Sequence, residues 1–139
     1  MQTTRLAIPD VVVLEPRVFS DARGFFLEDW NAETYRKLQL PTAFVQDNHR
    51  RSNPGVLRGL HYQLKRPQGK LVRVLRGAIF DVAVDMRRSS PTFGRWVGAE
   101  LSEDNKKLVW IPPGFAHGFC VTRGPADVLY KCTDYYRSE

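Results

Sequence analysis

The sequence predicts an all-β fold, a sandwich or barrel with one short helix. Three observations carry this. Short runs rich in Val, Ile, Phe and Tyr recur along the chain, turn residues separate them at short intervals, and one stretch alone has both a helical start and a helical stop.

Taken in order, DVVVLEPRVF reads as strand, a break at Pro16, and strand again. FFLEDW resumes the pattern after Gly24. NAETYRKLQL is the helix, with Asn31 as N-cap and Pro41 ending the run. TAFVQDNH is strand-like and RSNPG is a turn. From Val56 onward strands dominate. KLVRVLRGAIFDVAVDMR reads as a hairpin turning at Arg76-Gly77, where glycine tolerates positive φ. PTFGRWVGAEL is strand, SEDN a turn, KLVWIP strand and PGFAH a Pro-Gly corner. GFCVT and DVLYKCTDYY complete a set of about eight to ten strands. No repeat or linker interrupts this pattern, so the expectation is one domain over residues 1–139.

A chain of 139 residues closes a core without staples, and 42% hydrophobic with 26% charged residues is ordinary for a globular domain. MQTTRLAIPD has no apolar targeting segment, and the longest apolar runs are strand-sized. The expectation is therefore no signal peptide, no membrane span and a cytoplasmic location. Cys120 and Cys132 form no CxxC pair and read as small apolar residues in a reducing compartment. The net charge is +6. Nucleic-acid readers concentrate such charge in a stripe. Here the basic pairs Arg50-Arg51, Lys65-Arg66, Arg87-Arg88 and Lys106-Lys107 are spread over expected turns, which argues for solvated charges and a few groups lining an anion site.

The stretch RGLHYQLKRPQGK, residues 58–70, concentrates chemistry. Strict alternation separates Leu57, Gly59, His61 and Gln63 from Arg58, Leu60, Tyr62 and Leu64. Arg58 and His61 share a cavity only if the strand bulges, and Gly59 is placed to allow it. Around the expected hairpin, Lys70 faces Asp81 or Val82. It is then either an inward, paired and employed lysine or a strand-end lysine reaching solvent.

The histidines are His49, His61 and His117, with no HxH or HxxH spacing, which argues against a metal centre. His49 reads equally as a loop residue and His117 as a satisfied inner histidine. His61 as base, Lys70 as oxyanion partner and Tyr130 as acid suit removal and return of a proton beside a carbonyl. No GxSxG, P-loop or GxGxxG is present. A non-catalytic sugar- or anion-binding barrel is the competing reading.

In order along the chain, RGFFLEDW, FVQDNH, GVLRGLHYQ, QGKLVRVLRGAIFDVAVDMRRSSPTFGRWVG, LSEDNKKLVWIPPGFAHGF and LYKCTDYY resemble the dTDP-4-dehydrorhamnose 3,5-epimerase family, from about Ile8 to Tyr136. The resemblance implies a cupin-type jelly roll acting as a homodimer, with no cofactor and no metal. It implies dTDP-4-dehydro-6-deoxy-D-glucose as substrate, inverted at carbons 3 and 5. It also implies His61 as base, Lys70 at the enolate oxygen and Tyr130 as the acid on the opposite face. Arg23, Phe26, Glu28, Gln46, Asp47, Asn48, His117 and Tyr136 are implied substrate contacts. Arg58 is implied at the diphosphate. Asp81 and Asp85 lie on one strand face, and Asp81 is the expected supporting carboxylate. N-terminal strands exchange between subunits in this family, so Arg23 is expected to serve the partner's site. Relatives usually continue into a C-terminal segment whose aspartate orients the base. This chain is expected to lack it, leaving another carboxylate to substitute. Single-carbon epimerases, ketoisomerases and a binding protein without turnover are the neighbouring readings.

Overall fold

The computed structural model describes residues 1–137. Ten strands and one helix follow in order among them: β1 Gln2–Arg5, β2 Val12–Glu15, β3 Val18–Asp21, β4 Gly24–Leu27, α1 Ala32–Lys37, β5 Gln46–Ser52, β6 Leu57–His61, β7 Lys70–Asp85, β8 Trp96–Ser102, β9 Leu108–Ile111 and β10 Phe115–Cys132.

Two long strands organise the fold. β7 and β10 pair antiparallel from Lys70 opposite Cys132 to Asp85 opposite Phe115, with register shifts between Val121 and Val128. The shifts bend both strands, so each contributes to two layers. The first layer runs β1-β2-β9-β7-β10-β5. In the second, β8 pairs with β7 and β6 with β10. Inward residues of both layers form one core. Val72, Val74, Val109, Ile111 and Val128 come from the first; Ile79, Ala83, Val97, Phe119 and Val121 come from the second. Alternation sends Leu71, Leu108 and Trp110 to the outer side of the first layer, where Tyr35 of α1 covers them. The architecture is a jelly roll.

α1 starts as the sequence predicts. The Asn31 side chain accepts hydrogen bonds from the backbone N–H groups of Glu33 and Thr34 at 2.9 and 3.2 Å. Tyr35 is 1% exposed, and its hydroxyl donates to the Asp29 carbonyl at 2.9 Å.

Four expectations are corrected. GFCVT and DVLYKC are not two strands but parts of one, β10, because both stretches pair along the single long strand β7. KLVRVLRGAIFDVAVDMR is not a hairpin but a single strand, β7. Gly77 has φ +77°, and a Cβ there would lie 2.6 Å from the Pro125 carbonyl oxygen. It is a bulge glycine pressed against β10. A turn and a bulge both favour a glycine at positive φ, so the sequence did not separate them. Lys70 therefore pairs with Cys132 and Ile111, not with Asp81 or Val82. Arg50 and Arg51 lie within β5 rather than in a turn.

β3 and β4 form a separate two-stranded hairpin, with Phe19, Phe25 and Phe26 exposed. Among the described residues, no helix is long and apolar enough to cross a membrane.

Candidate active site

Two glycines bring β6 and β10 into unusually close approach. Gly59 has φ +107°, and a Cβ on it would meet the Gly118 Cα at 2.6 Å and the His117 carbonyl oxygen at 2.7 Å. A Cβ on Gly118 would lie 2.6 Å from the Arg58 carbonyl oxygen. The pairing slips here, between His117 opposite His61 and Phe119 opposite Arg58. This is the bulge that alternation required, and Arg58 and His61 now line one cleft. Leu60, Tyr62 and Leu64 do not pack the strand as apolar anchors; they are 58%, 39% and 76% exposed.

The floor of the cleft is a buried histidine–aspartate pair. His117 Nε2 lies 2.6 Å from Asp81 Oδ1, both side chains almost wholly buried. Burying either group alone would be costly, and together they satisfy each other. Asp81 thus supports His117 rather than His61. Asp85 is no substitute partner for His61 either. Its carboxylate accepts hydrogen bonds from Arg87, Ser90 and Thr92. Among the described residues, His61 has no side-chain hydrogen bond.

The facing wall comes from the other layer. Lys70 of β7 and Tyr130 of β10 line it, with the Lys70 ammonium 5.6 Å from the centre of the Tyr130 ring. Asn48 of β5 lies opposite Tyr130 in the register. Gln46 accepts a hydrogen bond from the Tyr136 backbone N–H at 3.2 Å and so holds Tyr136 beside β5. Gln63 ties the loop after β6 to the same segment. It donates to the Arg66 and Tyr135 carbonyls and accepts from the Arg137 N–H. The cleft is open to solvent on one side and measures about 790 Å³.

Its electrostatics are those of a site that favours anions. Desolvation is the main reason the His61 imidazole is held below its ordinary 6.5, and the charges of Lys70, His117 and Arg50 add to it. Burial likewise lowers the pKa of Lys70. Cys132 and Asp81 act in the opposite direction, and Arg50 reinforces the lowering. An imidazole whose neutral form is favoured thus shares the cleft with a lysine held in a partly dry wall.

The cleft gathers most of the residues singled out from sequence: His61, Lys70 and Tyr130, then Gln46, Asp47 and Asn48, then Arg58, His117 and Tyr136. It does not include Arg23, Phe26 or Glu28. Arg23 is instead paired with Asp21 at 2.7 Å on the exposed β3–β4 hairpin. Sequence reasoning missed Arg50, Gln63, Phe115 and Phe119 as lining residues. Arg50 was recoverable, since alternation from Asn48 puts it on the same face. Among the described residues no cluster of three or more His, Cys, Asp or Glu is arranged to hold a metal ion.

A sequence model described as dTDP-4-dehydrorhamnose 3,5-epimerase matches residues 5–139. The chain belongs to the dTDP-4-dehydrorhamnose 3,5-epimerase family. It is 59% identical over 140 residues to the dTDP-4-dehydrorhamnose 3,5-epimerase of Pseudomonas aeruginosa, covering 100% of this chain and 77% of that protein. Among solved structures, the dTDP-6-deoxy-D-glucose-3,5-epimerase of Legionella pneumophila, in complex with dTDP-4-keto-L-rhamnose, superposes with a TM-score of 0.95. It shares 54% identity, covering 98% of this chain and 73% of that one. A more distant member is a 3'-monoepimerase from Streptomyces bikiniensis, in complex with dTDP-quinovose, with a TM-score of 0.88 at 31% identity. That match covers 95% of this chain and 68% of that one. The family fold, a cupin-type jelly roll, is the one found here.

Proposed function

We propose that this chain epimerises dTDP-4-dehydro-6-deoxy-D-glucose at carbons 3 and 5, giving dTDP-4-dehydro-L-rhamnose. One observation carries the assignment of roles. His61 comes from one layer of the jelly roll, while Tyr130 and Lys70 come from the facing layer, with the cleft between them. Inverting a carbon requires proton removal from one face and proton return to the other, and two facing layers supply both.

His61 takes the proton from a carbon adjacent to the 4-keto group, and its electron pair moves into the enolate. The Lys70 ammonium meets the negative charge that develops on the enolate oxygen. The Tyr130 hydroxyl then gives its proton to the opposite face of the carbon. His117, locked by Asp81, shapes the floor beneath the sugar. Arg58 meets the diphosphate, where a guanidinium matches pairs of phosphate oxygens. Gln46, Asp47, Asn48 and Tyr136 contact the rest of the nucleotide sugar. No step asks for a metal or an organic cofactor.

The active form is a homodimer in the cytoplasm. The β3–β4 hairpin carries Arg23, Phe26 and Glu28 away from its own cleft, with Phe25 and Phe26 58% and 67% exposed. In the dimer these residues reach the partner's cleft. Identity favours the double epimerase over the single-carbon reading, at 59% to the former against 31% to a monoepimerase.

The test is solvent exchange in heavy water. Deuterium entering carbons 3 and 5, with a rhamno-configured product after reduction, supports the assignment. Exchange at carbon 3 alone would place the chain with the monoepimerases.

A further inference from the structure

β5 presents Gln46, Asn48, Arg50 and Ser52 on one face. The register fixes which face. Asn48 lies opposite Tyr130, Ser52 opposite the buried Ala126, and Arg50 opposite Val128, which is 0% exposed. Arg50 therefore belongs to the inner side and lines the cleft, near enough for its charge to act on both His61 and Lys70. Arg51, one residue on, points outward and is held by Asp127 at 2.8 and 3.1 Å. His49 lies 3.4 Å from the same carboxylate. Asp127, opposite Arg51 in the register, is thus already taken, and among the described residues Arg50 has no carboxylate partner.

A second arginine converges on this end of the cleft. Arg58 of β6 directs its Nε to the Ser52 hydroxyl at 3.4 Å, two residues along the same face of β5 from Arg50. The cationic side chains lining the cleft are Arg50, Arg58, Lys70 and Arg137. Among the described residues, the one carboxylate lining the cleft, Asp47, is bonded to Lys131 at 3.1 Å. Asp81 in the floor is bonded to His117, so the cations of the cleft outnumber the carboxylates left to balance them, and they repel one another. A bound dianion relieves that repulsion.

We propose that Arg50 is a second diphosphate-binding arginine, closing with Arg58 on the pyrophosphate oxygens of the nucleotide sugar. The proposal rests on the nucleotide-sugar reading above. Two guanidiniums, from β5 and from β6, which pair with successive parts of β10, bracket two phosphoryl groups, so they set preference for a diphosphate over a monophosphate or a bare nucleoside.

Titration calorimetry with dTDP, thymidine monophosphate and thymidine tests this on the wild-type chain and on Arg50→Gln, Arg50→Lys and Arg36→Gln. Arg36 lies on α1, outside the cleft, and controls for loss of one bulk charge. Arg50→Gln is expected to weaken dTDP about tenfold, to leave thymidine unchanged and to flatten the salt dependence of dTDP binding. Arg50→Lys recovers part of the loss and Arg36→Gln behaves as wild type. A dTDP affinity within about twofold of wild type in Arg50→Gln overturns the assignment, as does an equal loss for thymidine and dTDP. Wild-type protein that fails to bind dTDP overturns the nucleotide-sugar reading and this inference with it. Wild-type binding with Arg50→Gln unchanged overturns this inference alone.

Discussion

At the scale of single residues, the account turns on His61 and the groups that set its protonation. Removing the imidazole removes the base: His61→Ala is expected to lower the rate of solvent exchange at both carbons by about 10²–10⁴-fold, followed by proton NMR in heavy water. Tyr130→Phe separates the two half-reactions. Proton removal persists, while inverted product falls by a comparable factor. Because burial and neighbouring cations depress the His61 pKa, the neutral, active form persists below the ordinary 6.5. The acid limb of kcat/KM should accordingly have its midpoint below 6.5; a midpoint above it would contradict the electrostatic reading. That His61, Lys70 and Tyr130 belong together was legible in the sequence, because a base, a cation and a phenol suit one proton-transfer chemistry, and the three do line one cleft. The destination of Asp81 was not. Residues 81 and 117 are far apart in the chain, and only the pairing of β7 with β10 brings the carboxylate to His117 instead of His61.

At the scale of elements, glycines decide where the strands bend and so where the chemistry points. Gly59→Ala would drive a methyl group into the β10 backbone at a positive φ. It is expected to cost on the order of 1–3 kcal/mol in urea unfolding and to reduce kcat/KM by moving His61. A variant with wild-type stability and activity would show that the bulge is dispensable. Gly77 shows the limit of sequence reading at this scale. Its positive φ was anticipated, but local pattern alone does not reveal whether the chain then reverses or continues. That depends on what lies across the strand, here Arg123 to Ala126. The helix start was legible because Asn31 caps it locally, whereas the union of GFCVT and DVLYKC into β10 depends on non-local pairing. The end of β7 is fastened by Asp85, which is held far below the usual carboxylate range, chiefly by its hydrogen bonds from Arg87 and then by those from Ser90 and Thr92. Its folded pKa is depressed, so its stabilisation is present above the unfolded value near 4 and lost as pH falls below it. Asp85→Ala should cost roughly 3–5 kcal/mol at pH 7 and flatten the acid side of the melting-temperature profile. An unchanged profile would contradict this.

At the scale of the whole molecule, the exposed β3–β4 hairpin and the cleft belong to one design only if two chains share them. Size-exclusion chromatography with light scattering should give about twice the 16.0 kDa chain mass. A sharper check mixes two inactive variants. If Arg23 serves the partner's cleft, Arg23→Ala and His61→Ala homodimers should regain activity on subunit exchange, because some mixed dimers carry one intact site. No recovery, with exchange verified, would mean that the hairpin acts elsewhere. The chain spans 77% of its Pseudomonas aeruginosa relative and 73% of the Legionella pneumophila structure, and turnover between its two facing layers is open to a direct test. That test is deuterium incorporation by the 139-residue chain acting on dTDP-4-dehydro-6-deoxy-D-glucose in heavy water, read at carbons 3 and 5 by proton NMR. Exchange at both carbons with formation of the L-rhamno product is the expected result. Substrate bound in the cleft with neither proton exchanged would contradict the account.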